Sequence, residues 1–329
     1  MRFGAVVGIM IILVSTAALA GGEPEPAEEV YQLRIATEPS RPDMTALLAE
    51  RFAEEVEAIS EGEITVELFL GGVLGSQSVL QEQVELGTIE AIVTASDIVE
   101  MDSRFGIFDF PFLFSDRDHV YRLLDGEFGE QLNQTLIDRT GVRVLGFGEL
   151  GFRQITNNTR AVRTPDDLRG IRLRVPPTEL RLRAFEAIGA SPTPVAWDEL
   201  YTALSQGVVD GQENPLSAIL GASFYEVQEY LSISNHVYTP AYLLVNEEWW
   251  QGLSEGVRVT LKDAALNAVE WQRSYGAEQD AELVGQLEDQ GMTVNEIDHA
   301  SFLERAQPVW DQFSDLVGRD LLEMVVEGN

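Results

Sequence analysis

The 329-residue chain carries 55 acidic against 22 basic residues, a formal net charge of −33, which excludes nucleic acid as a partner because phosphate binding needs a positive footprint. It has no cysteine, so disulfides and thiol chemistry are excluded, while the redox compartment is left open. An apolar share of 45% is that of an ordinary globular chain, and the length calls for two domains rather than one. Lys262 is the only lysine. Acidic side chains at this density repel one another and salt screens the repulsion. The composition therefore points to a saline, halophilic habitat, with a merely acidic secreted protein as the alternative.

Met1-Arg2, the uncharged apolar run from Phe3 to Ala20 and its Ala18-Leu19-Ala20 end describe a cleaved secretory signal peptide over 1–20. A retained membrane anchor is the alternative, since the run is about the minimum length for a span. Residues 21–30 are rich in Pro and Glu and read as a flexible leader. Residues 31–37 alternate as a strand, and 44–60 form a helix with Leu48, Phe52, Val56 and Ile59 on one face. Ile64, Val66, Leu68 and Leu70 alternate as a second strand, 76–86 form a helix ended by Gly87, and Ile89 to Thr94 are a third strand. This rhythm predicts an open, mostly parallel α/β sheet. The aromatic run FGIFDFPFLF at 105–114 reads as a core wall or a cleft lining, and Pro111 argues against a central strand. Helices over 116–139 and a strand from Val142 to Phe147 follow.

Gly146 to Gly151 fit G-x-G-x-x-G after that strand, but the sequence beyond them, FRQITNNTRAV, has no helical period. A dinucleotide site needs a helix to start on those glycines, so nucleotide binding is not expected. The glycines are expected instead to let the chain cross between domains through unusual backbone angles. Further on, the pattern predicts a helical turn at 164–169, a strand from Ile171 to Val175, a helix over 178–188, helix over 216–231 and strand over 232–246. A long helix at 254–287 carries Leu261, Ala264, Ala268, Trp271 and Tyr275 on one face, with a bend possible at Gly276. A strand from Thr293 to Ile297 and a terminal helix over 300–327 close the chain, and no internal repeat is present.

Residues 189–215 are the most informative stretch. Asp198 reads as an N-cap, Leu200 and Leu204 share a helix face, and Gly207 stops the helix. Val208-Val209 read as a short buried strand turned by Asp210-Gly211. Pro215 pushes Asn214 into an extended conformation, with its carboxamide ready for a cleft. Upstream, Arg174 sits in the Ile171–Val175 strand and is backed by Pro176-Pro177. A guanidinium so held suits bidentate recognition of a carboxylate; pairing with one of the many acidic side chains is the alternative. Arg181 and Arg183 lie two apart on one helix and are both expected at the surface. His119, His236 and His299 fall in no metal-ligand pattern and no serine stands in G-x-S-x-G. No catalytic residue, metal site or cofactor is expected.

GASPTP, followed by Trp197, Glu199 and DGQENP, resembles the solute-binding subunits of TRAP transporters, tripartite ATP-independent periplasmic systems. The resemblance extends to FPFLF at 110–114, GFRQITNN at 151–158 and LRGIRLRVP at 168–176. It implies an α/β fold of the two-lobed type II periplasmic-binding-protein kind, with crossing strands and a long helix, 254–287, along both lobes. Lobe I is expected over 31–150 plus 240–278 and lobe II over 151–239 plus 279–329. By the same resemblance Arg174 clamps a ligand carboxylate, Arg153 and Asn214 add polar contacts, Trp197 stacks over the solute, and Glu38 contacts it from the other lobe. Segments 37–40, 72–78 and 94–97 are expected to close over it. The implied function is capture of a small organic acid outside the cytoplasmic membrane, in the periplasm, by a monomer that delivers it to an ion-gradient-driven TRAP permease. Presentation to a sensor, binding of an ectoine-type osmolyte, and a two-lobed enzyme stay open as alternatives.

Overall fold

The computed structural model describes residues 30–328. The signal peptide expected over 1–20 and all of the leader but Val30 lie outside the described residues. Among the described residues no helix is long and apolar enough to cross a membrane.

The chain begins as β1 (Tyr31–Ala36), α1 (Met44–Ile59), β2 (Ile64–Phe69), α2 (Gln77–Glu85) and β3 (Ala91–Thr94). Asp43 caps α1, its carboxylate accepting from the Thr45 amide, and Leu48, Phe52 and Val56 are fully buried on the face the periodicity selected. Ile59, the last helical residue, remains partly exposed. β1 pairs in parallel with β2 and β3. The aromatic run then forms a 3₁₀ helix, Ser103–Asp109, and a loop. Phe105 meets Tyr242 edge-on with ring centroids 5.2 Å apart, and Phe108 stacks on Phe114, so the run is a core wall. α3 (Arg117–Leu124) and α4 (Glu127–Thr140) follow, and α4 ends on left-handed Gly141.

Next come β4 (Val142–Asn157), β5 (Arg172–Val175), α5 (Glu179–Ala187), β6 (Ser191–Pro194), α6 (Trp197–Ser205) and β7 (Gly211–Pro215). α7 (Leu216–Gly221), β8 (Tyr230–Ile233), β9 (Tyr238–Asn246) and α8 (Glu247–Gly252) lead into α9 (Glu255–Asp289), β10 (Thr293–Glu296), α10 (His299–Val317) and α11 (Arg319–Glu327). The sheet order is β2-β1-β3-β9-β4-β7-β5-β6, with β8 pairing β4 and β10. The sheet is mixed rather than mostly parallel: pairs within each end are parallel, but β9 is antiparallel to β3 and β4, and β4 to β7 and β8. The long crossing strands cause the difference. β4 runs against β9 from Val142 to Phe152 and against β7 from Arg153 to Asn157. It thus belongs both to a first lobe built on β1–β3 and to a second built on β5–β8 and β10.

The glycines of β4 serve two purposes. Gly151 takes φ +111 at a register shift in the β4–β9 ladder, as a crossing through unusual angles requires. At Gly146 and Gly148 the need is space, because a Cβ would run into Val269 and Gln272 of α9. That helix is 35 residues long and capped by Ser254. Its Leu261, Ala264 and Ala268 pack with Leu48 and Phe52 in the first lobe, while Leu283 and Leu287 pack with Leu200 and Leu231 in the second. Gln272 pins it to the crossing strand, donating to the carbonyls of Met44 and Glu149 and accepting from the Glu149 amide.

Several local expectations are corrected. Asp198 is not the cap of α6: Ala196 holds that place, and Asp198 sits in the first turn, where its charge faces the positive end of the helix dipole. Val208-Val209 form no strand; Val208 is half-exposed and β7 starts only at Gly211. Helix does not run over 216–231, because Ser223 is left-handed and Tyr230–Ile233 is recruited into the sheet between β4 and β10. The terminal helix is split at Gly318, φ +101.

Candidate ligand-binding cleft

Between the lobes lies a cleft with about 430 Å³ of space free of protein atoms, its open mouth included. Asp43, Thr45, Gln77, Ser96 and Asp97 line it from the first lobe; Arg153, Arg174, Pro176, Trp197 and Asn214 line it from the second.

The second wall stands on strands. Arg174 on β5 registers with Gln212 of β7 and Thr193 of β6. Arg153 and Asn214 come from the antiparallel pair β4 and β7, where Arg153 faces Pro215 and Gln154 faces Asn214. Arg153 Nη2 donates to Glu213 Oε1 at 3.0 Å and to Asn214 Oδ1 at 2.9 Å. The Asn214 amide nitrogen donates to Gln212 Oε1, so most of its hydrogen bonding holds the wall itself. Arg181 Nη1 donates to both Glu213 oxygens, at 3.0 and 3.2 Å, and its Nε donates to Asp109 Oδ1. Burial works against the Glu213 charge, but Arg153 and Arg181 outweigh it and hold the carboxyl below its usual range. His236 Nε2 sits 3.1 Å from Glu213 Oε2, and burial pushes the imidazole down, favouring its neutral form.

Arg174 differs from its neighbours. It is 3% exposed, and its Nε donates to the Val195 carbonyl at 2.8 Å. Among the described residues its terminal nitrogens have no acceptor and it makes no ion pair. Burial lowers it to about 10, with Glu213 and Asp97 pulling the other way. It remains a cation at neutral pH.

The first wall stands on helix starts and a loop, and it is acidic. Asp43 is buried, and burial raises its carboxyl against the Thr45 hydrogen bonds. Burial raises Asp97 to about 6, opposed by Arg174 across the cleft. Gln77, at the start of α2, accepts from the Thr94 hydroxyl at 2.9 Å.

Arg153, Arg174, Asn214 and Trp197 are thus brought to one cleft. Trp197 is half-buried, with its ring edge-on to Phe224. Glu38 is not on the lining. It stands behind it, accepting from the Gln77 amide at 3.3 Å, and burial, with Asp198 and Asp97 nearby, raises it to about 7. Arg181 is corrected: it is 1% exposed and belongs to the buried network, whereas Arg183 is exposed as expected. Sequence reasoning singled out neither Asp43 nor Thr45, which lie beyond the 37–40 segment. It also passed over Glu213, although that residue stands inside the QENP run beside Asn214. No group of three or more metal-ligating side chains occurs among the described residues.

A two-lobed α/β fold with crossing strands, a spanning helix and a buried cation facing an interlobe cleft defines a solute-binding protein. A sequence model of "Bacterial extracellular solute-binding protein, family 7" (DctP) matches residues 35–316, and the chain belongs to that family, the solute-binding subunits of TRAP transporters. The 2,3-diketo-L-gulonate-binding periplasmic protein of Escherichia coli is 32% identical over 300 residues, covering 90% of this chain and 91% of its own. The sugar acid binding protein of Advenella mimigardefordensis, solved in complex with galactonate, superposes with a TM-score of 0.86 at 32% identity, over 91% of this chain and 97% of its own. A TRAP solute-binding protein from Polaromonas, solved with D-erythronate, gives 0.85 at 32% identity, over 90% and 98%.

Proposed function

We propose that the cleft captures a small organic acid by its carboxylate and that Arg174 is the clamp. One observation carries this. Of the buried arginines, Arg153 and Arg181 are neutralised by Glu213 and Asp109, while Arg174 keeps unpartnered terminal nitrogens facing the space. A desolvated guanidinium without an anion is costly, and a ligand carboxylate supplies the missing partner in bidentate geometry. In this reading Arg153 and Asn214 hold the carboxylate's surroundings, Trp197 covers the solute, and Glu38 acts from behind Gln77. Carboxylate ligands in the relatives support the same class.

The solute is bound in the periplasm after the signal peptide is removed. Closure brings together lobes spanning 31–150 plus 240–278 and 151–239 plus 279–329, and the closed form is presented to a TRAP permease. The binding step involves no turnover. The test is a thermal-shift screen in high salt against sugar acids, dicarboxylates and ectoine-type osmolytes, followed by calorimetry on Arg174→Ala. A ligand at about 100 times its Kd stabilises the fold by about 2.7 kcal/mol. Arg174→Ala is expected to cost on the order of 2–5 kcal/mol of binding. Unchanged affinity in that variant removes the clamp, and chemical conversion of the bound acid removes the transport reading.

A further inference from the structure

The charges of the two walls go further than a carboxylate clamp. In and behind the second wall, Arg153, Arg174 and Arg181 stand against Glu213 and Asp109, with His236 favoured neutral. Three cations and two anions leave one surplus positive charge, and geometry places it on Arg174. The second wall therefore offers one uncompensated positive charge to one ligand carboxylate. The opposite wall presents Asp97 and Asp43. Asp97 accepts no hydrogen bond from any described residue, and Asp43 uses Oδ1 for both Thr45 donors. Unfilled carboxylate oxygens are acceptors only.

We propose that Asp97, with Asp43 on the same lining, is the specificity wall of the cleft: it accepts hydroxyl groups at the far end of the ligand and repels a second carboxylate, so that the protein selects polyhydroxy monocarboxylates over dicarboxylates. This inference rests on the Arg174 clamp. A dicarboxylate bound through Arg174 would press its second charge toward Asp97, and like-charge juxtaposition is strongly unfavourable in a desolvated site. An ammonium would be drawn to Asp97 as a hydroxyl is, so a zwitterion is the competitor the experiment must separate; Thr45, Ser96 and Asn214 add lining groups suited to hydroxyls.

The experiment is titration calorimetry with D-erythronate, D-galactonate, succinate and ectoine on the wild type, Asp97→Asn and Arg174→Ala. Asp97→Asn keeps the shape, and no described donor depends on the lost charge; circular dichroism checks the fold. The wild type is expected to bind a hydroxy acid at least about tenfold more tightly than succinate, and Asp97→Asn to narrow that ratio at least about tenfold. Asp43→Asn, which keeps a helix-capping side chain, is expected to move the ratio in the same direction. An unchanged ratio in Asp97→Asn, with binding lost in Arg174→Ala, overturns the specificity wall and leaves the clamp standing. Retained binding in Arg174→Ala overturns the clamp. Preference for succinate or ectoine in the wild type overturns the specificity wall, and no binding of any probe counts against both readings.

Discussion

The two walls of the cleft are built on opposite plans. On the second-lobe side, Arg153, Glu213 and Arg174 sit on strands, and Arg153 and α5's Arg181 are neutralised through a buried network centred on Glu213. On the first-lobe side, carboxylates sit at helix starts, Asp43 capping α1 and Asp97 in the first turn of the 3₁₀ helix Ser96–Glu100, with burial raising both and few donors to offset it. The first arrangement fixes geometry before a ligand arrives. The second stores a desolvation cost that a ligand can relieve. Paired and unpaired buried charges should therefore respond differently to the same kind of perturbation.

The largest contrast is expected between Glu213→Ala and Arg174→Ala in unliganded protein. The first strips a carboxylate from both Arg153 and Arg181, and losing the partner of a buried charge costs about 3–5 kcal/mol. The second removes a cation that no described carboxylate pairs with, so its urea midpoint should not fall. Equal losses in the two variants would erase the distinction.

A smaller effect concerns pH. Burial raises Asp97 to about 6, with Arg174 and Arg153 opposing and Glu100 and Asp109 adding to it. Glu38 is raised to about 7 by burial, the Gln77 hydrogen bonds opposing and Asp198 and Asp97 adding to it. Both groups bind protons more tightly folded than unfolded. Their contribution is fully present below the ordinary carboxyl range and is lost as pH rises through about 6 and 7. Unliganded Tm should drop between about pH 5 and about pH 8, and an Asp97→Asn, Glu38→Gln double variant should flatten the drop. Glu213, held low, contributes with the opposite sign and loses its effect only in stronger acid.

The smallest effect is at Arg183, which pairs with Glu179 in water on the same helix as Arg181. Arg183→Ala should change unfolding free energy by less than about 1 kcal/mol. A loss as large as that of Glu213→Ala would show that exposure does not sort these charges.

Most of the α/β order was legible because Leu48, Phe52 and Val56, or Leu261, Ala264 and Ala268, repeat at the period their elements demand. What failed was decided by distant partners. Tyr230–Ile233 reads as helix in isolation and becomes a strand because β4 and β10 flank it. Arg181 looks like a surface residue beside Arg183, and nothing local reveals that Asp109 and Glu213 await it. On the second wall, motif residues marked Arg153, Arg174, Trp197 and Asn214. The first wall was legible only as segments, and Asp43 escaped because a cap residue also serves the cleft.

The position of β9 sets the order in which the molecule can be assembled. It lies between β3 and β4 and pairs with both, so the first lobe cannot close its sheet until Tyr238–Asn246 has been made. A fragment ending before Tyr238 would leave two unsatisfied strand edges bordered by apolar residues such as Ile92 and Val144, a template for association with other copies. Pairings this distant along the chain slow folding. The lobe that begins first must be finished late, and the second lobe is threaded into that interval.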